Sequence, residues 1–408
     1  MRFSSVIGQA DVKHRLKAMV RDERLSHALL LLGREGSGGL PVAIAFAQYL
    51  CCDRVTGRYT TKVQAAPASL FGEPEAPAEA EKTVSLPDDS CGTCPSCVKA
   101  AGLMHPDIHF TFPTISRKPG SPSLSNDFAA EWREFIKLHP YGNDFDWLQS
   151  IGAENKQGNI TAAECNEIVR VLNLKSFEQG YKIHILWMPE YLGTEGNKLL
   201  KLIEEPPPNT LFLLVAQDDA RILATILSRT QLIRIPPLVT EDLAAALTER
   251  TGVTDQQAMA TAVLAEGNYR EALSILQHNE EDWQSMTRDW FNAILKGGPV
   301  AQVKWVEEIA KHGREKQKQF LLYVNHLLAQ SIRLRSLGDR APVMQESERD
   351  FAGRLNKMAT LAQQQAMVDE LDSAAYQVER NANGKILFLA LSIRFWHIIR
   401  DNSLILVE

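Results

Sequence analysis

Residues Ala28 to Leu50 constrain this chain more than any other stretch. An apolar run, Ala28 to Leu32, leads into Gly33-Arg-Glu-Gly36-Ser-Gly38-Gly39-Leu40, and a second apolar run from Pro41 to Leu50 has the length of a helix. Strand, glycine loop and helix in that order form the unit that aims backbone N–H groups at phosphates from a helix N-terminus. The full pattern, G-x-x-x-x-G-K-[ST], then asks for a lysine to neutralise the terminal phosphates and a hydroxyl to hold magnesium. Gly39 stands where that lysine belongs and Leu40 where the hydroxyl belongs. The loop keeps its glycines and has lost both of its chemical contacts.

Taken alone, such a run is also an ordinary glycine-rich turn. A second loss ties it to nucleotide chemistry. Phosphate-loop ATPases carry an acidic pair at the end of a later apolar strand, where it holds magnesium and orients water. In Ile183-His-Ile-Leu-Trp-Met188-Pro189 those two positions hold Met188 and Pro189. Two separate losses describe a nucleotide fold without its own hydrolysis, so no ATP bound by this chain is expected.

Apolar runs at 28–32, 182–188 and 211–216 alternate with helical stretches near Asp11 to Arg21, from the capping pattern Thr161-Ala-Ala-Glu164, and up to Glu205. Strands apolar on both faces and separated by helices predict a parallel sheet covered by helices. Two insertions interrupt the pattern. Residues 53–90 are rich in Ala, Pro and Glu and lack core periodicity, whereas 116–158 carry Trp132, Phe135, Tyr141, Phe145 and Trp147, so at least their second half is expected to pack. After Pro236-Pro237 the chain reads as helices only. This gives an α/β domain at 1–237, a small helical domain at 238–279 and an all-α domain at 280–408.

The 408 residues carry 44 Lys+Arg against 50 Asp+Glu, a formal charge of -6, which argues against a chain-wide nucleic-acid surface. Trp132, Trp147 and Trp283 lack interleaved basic residues and read as core rather than as stacking platforms for bases. No apolar run reaches the length of a membrane span, and a cytoplasmic location without membrane partners is expected. Three of the six cysteines fall in Cys91-Gly-Thr-Cys94-Pro-Ser-Cys97. That spacing, closed by Cys51 or Cys52 upstream, suits four thiolates on a structural zinc ion; an iron–sulfur cluster would want a further Cys-Pro downstream. Cys165, inside an amphipathic stretch, reads as a core thiol.

Several segments resemble the bacterial clamp-loader family of AAA+ proteins, part of DNA polymerase III. They are Val6-Ile-Gly-Gln9, Ser26-His-Ala-Leu-Leu-Leu-Leu-Gly33, the cysteine run, His105-Pro-Asp107, Asn197-Lys-Leu-Leu-Lys-Leu-Ile-Glu-Glu-Pro-Pro207 and Ser228-Arg229-Thr230. The resemblance covers the first 237 residues in segments and continues faintly through Ala265-Glu-Gly-Asn-Tyr-Arg270. It implies an AAA+ module with a zinc insert (52–97), a helical lid and a C-terminal collar. It favours Cys52 with Cys91, Cys94 and Cys97 as zinc ligands. It also implies that Ser228 and Arg229 belong to an arginine-finger motif, Arg229 reaching a neighbour's triphosphate. Arg270 matches a lid arginine that touches nucleotide in active members, with a surface or lid-packing role expected here. Implied partners are gamma/tau-type ATPase subunits, a clamp-opening delta subunit, and the sliding clamp and primed DNA through the complex. The alternative is an ATPase in which Arg34 or Arg270 replaces the missing lysine.

Overall fold

The computed structural model describes residues 1–58, 86–117, 122–153, 156–178, 180–277, 280–338, 346–379 and 382–400. Most of the 53–90 insertion, residues 59–85, lies outside the described residues, as do 118–121 and 154–155 of the second insertion. The chain divides into two units, Met1–Ser274 and Ile275–Glu408. Residues 238–274 therefore belong with the first.

In chain order the first unit contains α1 (Ala10–Arg21), β1 (Ala28–Gly33), α2 (Gly39–Cys51), α3 (Pro95–Ala101), β2 (Ile108–Thr111), α4 (Ala129–Leu138), α5 (Asp144–Ser150) and α6 (Ala162–Leu172). Then follow β3 (Lys182–Trp187), α7 (Leu200–Glu204), β4 (Thr210–Ala216), α8 (Ala224–Leu227), β5 (Gln231–Ile235), α9 (Thr240–Thr251), α10 (Asp255–Leu264) and α11 (Tyr269–Gln277). The sheet is parallel throughout, in the order β2-β3-β4-β1-β5.

The three apolar runs form the middle of that sheet because both of their faces are covered. In β1, Leu29 and Leu31 enter the core beneath α2, while Ala28, Leu30 and Leu32 enter the core on the opposite face; β4 splits its residues between the same two cores. Helix α2 is buried along its whole length from Leu40 to Cys51; its residues are apolar apart from Gln48, which is satisfied by the Met1 amine and the Ser90 hydroxyl. The two edge strands were not evident from sequence. β2 has four residues, and β5 alternates exposed Leu232 and Arg234 with buried Ile233 and Ile235, so neither shows a continuous apolar run.

The second insertion packs through its aromatic residues, as expected. Trp132 stacks on Phe112 at 4.1 Å and meets Trp147 edge-on at 5.1 Å and Trp187 of β3 at 5.2 Å. The Trp147 indole N–H donates to the Pro113 carbonyl at 2.7 Å. The capping pattern at Thr161 is half realised. Thr161 Oγ1 accepts from the Glu164 N–H, but the Glu164 carboxylate turns instead to the Thr111 hydroxyl at 2.7 Å and the Ser125 N–H at 2.8 Å, tying the insertion to β2.

The second unit contains α12 (Glu280–Asn292), α13 (Gly298–Ile309), α14 (Arg314–Leu337), α15 (Glu346–Met358), α16 (Leu361–Glu379) and α17 (Gly384–Arg400). Its core centres on Trp290, fully buried and stacked on Trp305 and Phe395 at 5.1 Å each, with Trp283 against Phe320. No described helix is long and apolar enough to cross a membrane.

Candidate nucleotide-fold site and metal centre

The glycine loop lies between β1 and α2, with Gly38 capping α2 at a positive φ of 96°. Leu40, the residue in the hydroxyl position, is buried in the core. A Cβ on Gly36, also at positive φ, would fall 1.8 Å from Asn268 Oδ1, and the Tyr269 N–H donates to the Gly36 carbonyl at 3.2 Å. Gln9 Nε2 donates to the carbonyls of Ser37 and Pro236. Two of the loop's carbonyls, those of Gly36 and Ser37, are thus engaged by α11 and the N-terminal segment.

Little room remains beside it. The cavity there has a volume of about 30 Å³, against roughly 300–1,000 Å³ for ordinary ligand pockets. Pro140, Tyr141 and Gly142 of the second insertion line it together with the loop, and no lining residue is acidic. Met188 and Pro189 are buried at the end of β3. The nearest carboxylate in sequence, Glu190, accepts from the backbone N–H groups of Gln217 and Asp218 at 2.6 and 2.9 Å, and burial pushes its carboxyl upward.

Arg270 is not a surface arginine. Its side chain is 11% exposed and its fork is filled: Nε and Nη2 donate to the two oxygens of Asp146 at 2.6 and 2.8 Å, and Nη1 to Glu35 at 2.9 Å. Arg34 is exposed at the cavity rim.

Arg229 sits just past α8, held from its own chain. Nε donates to Glu204 at 3.1 Å, and Nη1 to the Thr225 carbonyl at 3.1 Å and the Ser228 hydroxyl at 3.4 Å. Its side chain is 35% exposed, and Nη2 has no hydrogen-bond partner among the described residues. Helix-end carbonyl bonding, the ordinary role for such an arginine, therefore accounts for only part of its fork.

The cysteines converge. The Sγ atoms of Cys52, Cys91, Cys94 and Cys97 all lie within 4.8 Å of one another. Four thiolates at about 2.3 Å from a tetrahedral zinc ion stand about 3.8 Å apart, and Cys91 and Cys97 are at 3.9 Å. Backbone N–H groups of Cys91, Cys94 and Cys97 donate to the sulfurs of Cys52, Cys91 and Cys94 at 3.3–3.4 Å, which favours thiolates. Burial would raise the Cys91 thiol, but the N–H groups of Thr93 and Cys94 outweigh it and bring it down to about 6. The set fits structural zinc. Cys51 is excluded from it; buried on α2, its thiol is pushed well up. Cys165 is fully buried in the other core, a core thiol as expected.

Two further groups support this centre, Asp107 of the His105-Pro-Asp107 segment and Glu178, which had no sequence signal. Asp107 accepts from the N–H groups of Phe177 and Glu178 at 2.7 and 2.8 Å, and Glu178 accepts from Ser96 Oγ of α3 at 2.7 Å and pairs with Lys99. Helix α3, which carries Cys97, is thereby fastened to the segment before β3.

A family model described as DNA polymerase III, delta subunit, matches residues 78–239. The DNA polymerase III subunit delta' of Haemophilus influenzae is 27% identical over 194 residues, 48% of this chain, and that of Escherichia coli is 22% identical over 274 residues, 66% of this chain. These matches support a delta-prime-like clamp-loader subunit, at modest identity. They span 47% and 60% of those relatives' own lengths. The subunit tau/gamma of Haemophilus influenzae is 24% identical over 67% of this chain and 30% of its own length. The similarity therefore reaches DNA polymerase III subunits of both the delta' and the tau/gamma kind.

Proposed function

We propose that this chain is a non-catalytic, delta-prime-like subunit of a bacterial clamp loader, lending Arg229 to the ATP site of a neighbouring gamma/tau-type subunit. The observation that carries the reading is the degenerate loop itself: a cavity of about 30 Å³ with neither lysine nor carboxylate on its lining. Such a site lacks the lysine and the magnesium-holding carboxylates on which phosphoryl transfer relies, Arg34 being the one cation on its lining among the described residues. Arg229, by contrast, has a side chain that is 35% exposed and an Nη2 without a hydrogen-bond partner among the described residues, and a guanidinium edge is suited to a phosphate. In this reading residues 238–279 serve as lid and 280–408 as collar, and the chain works in the cytoplasm with a clamp-opening delta subunit to place a sliding clamp on primed DNA.

The test is Arg229→Ala in a reconstituted complex. Arginine fingers contribute roughly 10³–10⁵ in rate at the site they serve, so ATP turnover and clamp loading fall while assembly is retained. Unchanged turnover refutes the reading. Exposed Arg34 favours a second one, ATP binding through the altered loop; titration of the isolated chain with ATP and magnesium decides, since tight binding would support it.

A further inference from the structure

We infer that residues 139–146 of the second insertion act as a built-in ligand of the degenerate loop, clamping the helices α9–α11 to the sheet in place of a nucleotide. The inference rests on the reading that this loop holds no nucleotide.

The segment meets the site at three points. Tyr141, 5% exposed, lies over the loop so closely that a Cβ on Gly38 would be 3.0 Å from its ring. Its hydroxyl accepts from the Ile7 N–H at 2.8 Å, which fixes the ring's depth. The same ring meets Tyr269 of α11 edge-on at 4.9 Å, and the Arg250 guanidinium of α9 stands 5.8 Å from one ring and 5.4 Å from the other. One aromatic side chain thus touches the loop and two helices beyond Pro237.

Asp146 is the second point. The side chain of Asn143 caps α5 by accepting from the Asp146 N–H at 2.9 Å, and Asp146 Oδ2 accepts in return from the Asn143 N–H at 3.2 Å. This reciprocal cap holds the carboxylate in one orientation. Both of its oxygens then receive the Arg270 fork. A carboxylate and a phosphate present the same pair of acceptor oxygens to a guanidinium, so Asp146 gives Arg270 the contact a phosphate would give. Glu35 of the loop takes the remaining arm.

The third point anchors the segment behind. Tyr191, just past β3, donates its hydroxyl to Asp144, and Trp147 is fully buried among Phe112, Trp132 and Phe135. The contact to α11 is therefore made from a fixed platform. Nucleotide-driven lid motion needs a ligand that comes and goes; a covalently tethered one is always present, which gives this subunit a constant lid angle.

Hydrogen exchange on the full chain, without nucleotide or partners, tests the clamp. Asp146→Asn removes the charge from two hydrogen bonds, and Glu35→Gln removes it from one and leaves the core intact. The expected result for Asp146→Asn is roughly tenfold faster exchange across residues 240–274, a smaller effect for Glu35→Gln, and, when Arg270→Gln is added to Asp146→Asn, a further loss no larger than that of Glu35→Gln, whose contact Arg270 also makes. Zinc content and far-ultraviolet circular dichroism stay at wild-type values. Unchanged exchange in both single variants, or additive effects in the double variant, overturns the inference. Because exchange is read on the isolated chain, the clamp can fail while the Arg229 experiment succeeds, and the reverse.

Discussion

Restoring the lost residues should not restore nucleotide binding. Gly39→Lys with Leu40→Thr rebuilds the phosphate-loop pattern, and a Cβ at Gly39 meets nothing closer than a Val215 methyl at 3.3 Å, a contact small shifts can absorb. A nucleotide entering that loop must still displace Tyr141. Returning a buried side chain of that size to water costs about 2 kcal/mol, and breaking its hydroxyl bond to Ile7 about 1 kcal/mol. The Arg270–Asp146 pair is left out of the sum because a phosphate would replace the carboxylate. About 3 kcal/mol weakens apparent affinity on the order of a hundredfold. Titration with a fluorescent ATP analogue and magnesium should show weak binding for the restored loop and a gain of about that size when Tyr141→Ala and Asp146→Ala are added. Neither form should turn ATP over, because Met188 and Pro189 still occupy the acidic positions. Equal affinity with and without the Tyr141 and Asp146 changes would refute the displacement argument.

The remaining predictions concern the metal and the core. Cys52→Ser should abolish stoichiometric zinc measured by atomic absorption, and with it a binding term of about 10–16 kcal/mol where such sites have been weighed in small domains; Cys51→Ser should retain the metal. His184 lies fully buried in β3 with Nε2 3.1 Å from the Thr111 hydroxyl, and burial, aided by His109, brings it down to about 3. Its neutral form is the folded form, so its contribution is complete above the ordinary histidine range. It is lost as pH falls from about 6.5 towards 3, because the unfolded chain then binds a proton that the folded one refuses. The slope is up to ~1.4 kcal/mol per pH unit; His184→Gln should flatten denaturant stability against pH by one proton, and identical slopes would exclude the assignment. Trp132→Ala, at the centre of the insertion's aromatic cluster, should cost about 3–5 kcal/mol by chemical denaturation, and a cost under ~1 kcal/mol would mean that the insertion does not share the core's cooperativity.

The parts that sequence made legible are those set by local repetition. Leu29 to Leu32, Leu211 to Val215 and, apart from His184, Ile183 to Trp187 are apolar because both faces of an inner parallel strand are covered, and that signature needs no partner to be read. Ile108 to Thr111 and Gln231 to Ile235 stand at the sheet's edges, where partial exposure removes the signal. Cys51 and Cys52 are equivalent by spacing; they differ because Cys51 ends α2 facing the core while the chain turns at Cys52, whose backbone is extended and whose sulfur reaches the other three. Tyr141 and Asp146 had no local signature at all. Their roles follow from contacts with Gly38 and Arg270, residues 103 and 124 positions away, and no pattern within a window of sequence encodes such a meeting.

Arg229 and Arg270 differ in how far each guanidinium is spent on its own chain. Both are forks fixed by a carboxylate, Glu204 in one case and Asp146 with Glu35 in the other. Arg270 has Nε, Nη1 and Nη2 all directed at carboxylate oxygens and is 11% exposed, so its charge is compensated where it stands. Arg229 has a single carboxylate that is itself 58% exposed, and the rest of its bonding comes from a backbone carbonyl and a hydroxyl, neutral acceptors that orient the group without cancelling its charge. A guanidinium oriented by weak acceptors and screened by water is cheap to redirect, whereas a bidentate, largely buried pair is not. The same argument predicts which substitution each tolerates: Arg229→Lys keeps the charge and fails only where a planar fork is needed, while Arg270→Lys leaves Asp146 with half its bonds inside the first unit and destabilises the isolated chain.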